Sequence, residues 1–233
     1  MPCTLPASLA DAAVCRGSFH AVLGGEAGEA VFADFSAALQ KAQAEGRILT
    51  ASLFRYENHL FFYAEGLNRP FTPQELCPAL DAALLPWPPA LGEAAPRPWA
   101  AMQPYFYHDV PTTAADWQQG RCPQRRRGRI ALLPPDSWCS YMEHHLRIVT
   151  EGLVEGDRWH LICVQEGVLF SYLEEPRTNV NIKHQPGAHS PELDAWIAAD
   201  PESHFARFTP EQKAHPDSSH NFVFLPRIAG TED

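Results

Sequence analysis

The sequence predicts an α+β chain built from two tandem ferredoxin-like βαββαβ units, paired within the chain as a dimeric α/β-barrel-like pseudo-dimer. Three observations carry this. The signature Leu60-Phe61-x-Tyr63-x-Glu65 returns as Leu169-Phe170-x-Tyr172-x-Glu174, 109 residues later, and an internal repeat sets architecture before any single motif does. Segments with helical and strand periodicity follow the same order around each copy. The strands carry apolar residues on both faces, so each four-stranded sheet needs a cover on the side its helices leave bare.

In the first copy, residues 19–23 form an apolar strand ended by Gly24 and Gly25. A helix follows over 28–45, with Val31, Phe35, Ala38, Leu39 and Ala42 at helical spacing and Gly46 as its stop. Residues 48–56 and 60–65 pair as a hairpin across Glu57, Asn58 and His59. Thr72, Pro73, Gln74 and Glu75 read as a capping box opening a helix to about residue 85. An aromatic strand over 103–110 closes the copy. In the second copy, residues 129–133 are a strand and 137–153 a helix. Strands 159–165 and 168–174 turn through Glu166 and Gly167. Ser190 and Pro191 open a second helix, and 222–225 is the closing strand. The boundaries are 17–112 and 129–228, with 113–128 between them and a short helix near 113–118.

At 233 residues, two units of about 100 residues each have room for a core. The net charge of −10 argues against nucleic acid or an anionic membrane surface as partner. Arg121, Arg125, Arg126, Arg127 and Arg129 cluster between the copies and read as a solvated linker. Six scattered cysteines without CxxC spacing fit reduced thiols. Without a signal peptide or a membrane-length apolar run, the expected location is cytoplasmic.

The chemistry is expected in the second copy. Tyr141 and His145 are four apart on the 137–153 helix, on the face that also carries Trp138 and Ile148. An inward His beside a Tyr is a proton-transfer pair, because imidazole titrates near neutrality. The first copy places Phe35 opposite His145 and Val31 opposite Tyr141, so packing alone does not demand polar groups there. His144, about 100° around the helix, is expected to be exposed. Asn181 and Lys183 could cap a pocket from a loop. No HExxH, phosphate loop or nucleophile elbow is present, and neither a metal nor a cofactor is expected.

Tyr141-x-x-x-His145, followed by Ile148 and Glu151, then Leu169, Phe170 and Glu174, Trp196 and a closing Phe222-x-Phe224-Leu225-Pro226, resembles the L-rhamnose mutarotase family. The resemblance implies a cofactor-free carbohydrate mutarotase, with His145 as acid/base and Tyr141 orienting the sugar. Trp196, His204, Phe205, Tyr172, Glu174 and Trp159 would line the pocket. The implied partner is a monosaccharide, and the implied state a monomeric pseudo-dimer or a homodimer. Two other readings stand beside it. One is a non-catalytic sugar- or small-molecule-binding protein. The other is a different α/β-barrel enzyme of monooxygenase or haem-degrading type, in which His145 or His204 could ligate haem.

Overall fold

The computed structural model describes residues 6–74, 76–179, 182–213 and 215–231. It is a mixed α+β protein whose sheets are antiparallel. In chain order the elements are β1 (Val14–Leu23), α1 (Glu29–Ala44), β2 (Ile48–Tyr56), β3 (His59–Leu67), α2 (Pro78–Asp81), β4 (Leu84–Leu85), β5 (Ala100–Ala101) and β6 (Gln103–Phe106). There follow α3 (Ala114–Gln118), β7 (Arg125–Leu132), α4 (Pro135–Glu151), β8 (Val154–Glu155), β9 (Leu161–Gln165), β10 (Val168–Glu175), β11 (Lys183–His184), α5 (Pro191–Ala198), β12 (Val223–Leu225) and β13 (Arg227–Gly230). No helix among the described residues is long and apolar enough to cross a membrane.

The chain divides into two compact units: residues 1–102, 111–124 and 226–233 in one, 103–110 and 125–225 in the other. The first holds a sheet in the order β13-β2-β3-β1-β4, with β5 also on β1. Its core sits between that sheet and α1, whose Phe32, Phe35, Leu39 and Ala42 fall on one face by their spacing. The second holds a sheet in the order β12-β7-β10-β9-β6. Its core gathers Ala131, Ile162, Val164 and Leu169 from the strands with Tyr141 and Ile148 from α4.

Local chemistry explains most boundaries. Pro135 sits in the first turn of α4, where its missing N–H has no partner to lose, and Gly152 ends the helix in the left-handed region at φ 68°. The turn between β9 and β10 needs positive φ twice, met by Glu166 at 50° and Gly167 at 77°, the geometry that matches strand twist in a two-residue hairpin. Ser190 caps α5, its hydroxyl accepting from the Leu193 N–H at 3.0 Å. Thr113 caps α3 in the same way.

Three expectations change. The helix expected over 72–85 shrinks to the single turn of α2; Glu75, its proposed capping partner, lies outside the described residues. Pro78 explains the late start, because its ring disfavours helical geometry at the residue before it, and Cys77 is extended at φ −140°, ψ 91°. The aromatic strand assigned to close the first copy pairs with β9, so it belongs to the second sheet; β4 and β5 flank β1 instead.

The basic run is not a solvated linker. Residues 125–129 open β7. Arg121 forms a two-pronged pair with buried Glu65 at 2.7 and 2.9 Å. Arg126 lies 3.6 Å from Glu174. Arg127 pairs with Glu175 and Asp217 at 3.0 and 2.7 Å.

Candidate functional site

Within the second unit a cavity of about 630 Å³ opens between α4, α5 and the sheet. Its wall includes Phe106, His108, Arg129, Tyr141, His145, Asp157, His160, Arg177, Trp196, Glu202 and Phe222. The long face of α4 brings Tyr141 and His145 there. Strand β7 presents Arg129, β6 and the residue after next present Phe106 and His108, and the loop after β8 supplies Asp157.

His145 is caged by rings. Its centroid lies 4.3 Å from Tyr141, 4.5 Å from Trp196, 4.7 Å from Phe106 and 5.6 Å from Tyr105. Nδ1 stands 3.0 Å from the Tyr141 carbonyl oxygen. A carbonyl can only accept, so Nδ1 carries the proton and Nε2 keeps the lone pair. Burial lowers the imidazole to about 4, the Tyr141 carbonyl pulling the other way and His144, His204 and His108 pushing it further down. At neutral pH the ring is therefore uncharged.

Burial pushes the Tyr141 phenol up to about 12, against the influence of the Tyr105 hydroxyl and of Arg129. The Tyr105 hydroxyl is raised well above its ordinary value, by burial first and then by Tyr141. It is buried without a hydrogen-bond partner, and its ring meets that of Tyr141 edge-on, the centroids 6.1 Å apart. His108 is lowered by burial, with Asp157 opposing. Its ring rests on Gly156, where a Cβ would fall 1.7 Å from the imidazole.

Asp157 is satisfied by Arg177 at 3.0 Å and by the Thr178 hydroxyl at 2.7 Å. Glu202 accepts from Asn221 at 2.7 Å. Arg129 lies over the Phe222 ring at 4.4 Å, and its Nε is buried without a hydrogen-bond partner. Burial, with Arg177 nearby, lowers it to about 10 while Tyr141 and Tyr105 oppose, so it remains a cation at neutral pH. No group of three or more His, Cys, Asp or Glu among the described residues is placed to hold a metal ion.

Of the residues expected from sequence, Tyr141, His145 and Trp196 share this wall. Phe205 and His204 pack behind it, 5.0 and 5.8 Å from the Tyr141 ring. Trp159, Tyr172 and Glu174 are buried but do not line the cavity. The Tyr172 hydroxyl donates to Glu174 at 2.6 Å, and the Tyr63 hydroxyl donates to Glu65 at 2.7 Å. The shared Tyr-x-Glu pair is thus the same structural hydrogen bond in both units. Glu151 accepts from the Ser190 hydroxyl, which joins α4 to α5. His144 is half-buried against Trp196, 5.5 Å between rings, rather than exposed. Lys183 is exposed on β11, and Asn181 lies outside the described residues.

Sequence reasoning missed Arg129, His108, His160 and the Asp157–Arg177 pair. A usable signal for Arg129 was strand alternation: it stands one residue from Gly128 and Ile130, both buried, in a strand that pairs on both sides.

No family model matches the chain, and no curated protein matches it. Solved structures align along most of its length at low similarity. A "putative monooxygenase" from Lactobacillus acidophilus NCFM has 7% identity and a TM-score of 0.38, covering 94% of this chain and 96% of that one. A second, from Fusobacterium nucleatum subsp. nucleatum ATCC 25586, has 8% identity and a TM-score of 0.40, covering 94% of each chain. An anthrone oxidase-like protein has 7% identity and a TM-score of 0.37, covering 94% of this chain and 92% of that one.

These findings correct the L-rhamnose mutarotase resemblance and the isomerase and sugar readings that came with it. None of the three structures is a mutarotase, and no family model supports that family. The physical reason is visible in the matched motifs. Leu169 and Phe170 are core residues, Glu174 holds Tyr172, and Glu151 holds Ser190. Such features follow from packing and do not define a sugar site.

Proposed function

We propose that the second unit is the catalytic half of an enzyme of monooxygenase type, acting on a planar aromatic substrate with an acidic hydroxyl. The observation that carries this is the tautomer of His145. Its Nδ1–H is committed to the Tyr141 carbonyl, which leaves Nε2 as a neutral acceptor in an aromatic-walled cavity. Nε2 would take the proton of the substrate hydroxyl. The phenolate so formed is electron-rich at the ring carbon para to its oxygen; dioxygen would add there as a hydroperoxide, and loss of water would leave the quinone, with one oxygen atom in the product, the other in water and the substrate itself supplying the electrons. Tyr141, protonated at all working pH values, would donate a hydrogen bond to the bound oxygen. Trp196, Phe106 and Phe222 suit the stacking of a flat ring.

The tandem ferredoxin-like architecture belongs to the same proposal. Setting aside the edge strands β13 and β6, the two sheets share one order, β2-β3-β1-β4 in one and β9-β10-β7-β12 in the other. That common order supports duplication, with Phe35 keeping the first core apolar, 5.7 Å from Phe62 and 6.3 Å from Trp99. The partner is a small molecule. Free thiols at Cys15, Cys77, Cys122, Cys139 and Cys163 fit a reducing compartment such as the cytoplasm.

The test is oxygen uptake with a panel of naphthols and hydroxyanthrones. Uptake above the uncatalysed rate, reduced about 10²-fold or more in His145→Phe, supports the reading. Binding without uptake for the whole panel would leave a small-molecule-binding protein instead.

A further inference from the structure

We infer that Arg129 is the anion-binding residue of the cavity and that the ligand carries an oxyanion, a carboxylate or an ionised phenol, on an aromatic ring. The charge inventory around the cavity leads there. Two carboxylates face it, and both are already committed: Asp157 to Arg177 and Thr178, Glu202 to Asn221. Arg177 is neutralised by Asp157 at 3.0 Å. Arg129 has no such partner. Among the described residues no carboxylate oxygen pairs with it, its Nε is buried and unbonded, and its guanidinium lies over the face of Phe222.

A half-buried guanidinium whose Nε is shielded from water and left without a counter-charge is costly to keep, and Arg is always charged at neutral pH. The β7 neighbours on the same strand show the usual solution: Arg125 and Arg127 each reach an acidic partner. Arg129 differs in opening onto a cavity large enough for a bicyclic ring system. An oxyanion there would supply the missing charge and hydrogen bonds, in the two-pronged geometry Arg favours, while Trp196 and Phe106 meet the ring. The neutral state of His145 leaves the cationic charge at Arg129 unshared by the imidazole. The chain as a whole carries −10, so any preference for anions comes from this local site and not from the general field.

The inference deepens the proposed function by naming the charge of the substrate, but binding does not require turnover. The experiment is calorimetric titration with 2-naphthoate and its neutral isostere 2-naphthamide, on the wild-type chain, Arg129→Gln and Arg129→Lys. The expected result is at least tenfold tighter binding of the naphthoate to wild type, a ratio near one in Arg129→Gln, and a partly restored ratio in Arg129→Lys. Naphthamide affinity stays within about threefold throughout, which shows that each variant keeps the cavity. Equal affinities in wild type, no binding of either probe, or a ratio that survives Arg129→Gln would overturn the assignment. Should Arg129→Gln not fold, the wild-type ratio and its persistence in Arg129→Lys decide. A clear naphthoate preference without oxygen uptake would sink the proposed reaction and leave the anion site standing.

Discussion

His145 makes the acid stability of this protein predictable. Its ring titrates at about 4 in the folded chain because burial opposes the charge, against about 6.5 for an unhindered imidazole. Between those values the unfolded chain binds a proton that the folded chain does not, so stability rises with pH across that window. Above about 6.5 the proton is absent from both states and the effect vanishes. As pH falls from 6.5 to 4 the folded state loses ground, and a gap of about 2.5 pH units at about 1.36 kcal/mol each is on the order of 3 kcal/mol. The residue is 4% exposed, so solvent screening takes little from that figure.

The perturbation is His145→Phe, an aromatic ring without the titrating nitrogen. Urea denaturation of wild type and variant at pH 7.5 and 4.5 measures it. Repacking of the larger ring costs about 1–3 kcal/mol at both pH values. The pH-dependent loss is expected to shrink by most of the 3 kcal/mol in the variant. Groups common to both proteins largely cancel in the difference. Equal losses in the two would refute the reasoning, because they would mean that His145 is not held neutral by its cage.

Two further outcomes follow from the same structure. Arg121→Met strips the two-pronged partner from Glu65, which is wholly buried. Burial raises that carboxyl and Arg121, Arg16 and Tyr63 bring it below its ordinary value; the variant should lose about 3–5 kcal/mol in urea denaturation, with Glu65→Gln in the same chain recovering part of it. Gly156→Ala drives a methyl into the His108 ring, so the ring must leave its place. Its NMR titration should then move up toward about 6.5, and an unchanged titration would show that the loop after β8 yields instead.

The Tyr-x-Glu signature shows how a motif can be legible and yet be misread. Its recurrence was plain in the chain, and strand alternation placed Tyr and Glu on one face. What the pair does became clear only when Tyr63 and Tyr172 were seen donating to the carboxylates two residues on, identically in both units. An inward-facing polar pair looks the same in sequence whether it meets a substrate or its own neighbour. The Tyr141 and His145 pair stood out in the sequence because α1 of the first unit has no such pair and instead buries Phe35 in its core.

By itself the sequence determined the periodic parts. The α1 and α4 helices, the two hairpins and the cap at Ser190 depend on residues within a few positions of one another, so local pattern suffices. It also put His145 and Tyr141 on one inward face. Tertiary structure alone decided the rest. The 103–106 strand pairs with β9, about 60 residues further along, because an edge can be filled by any strand of suitable register. The arginines of the basic run parted company according to which carboxylates the fold brought near. Arg121 met Glu65 across 56 positions, Arg127 met Asp217 across 90, and Arg129 met a cavity. Whether a charge ends in solvent, in an ion pair or facing a ligand is set by distant partners, and no spacing along the chain encodes them.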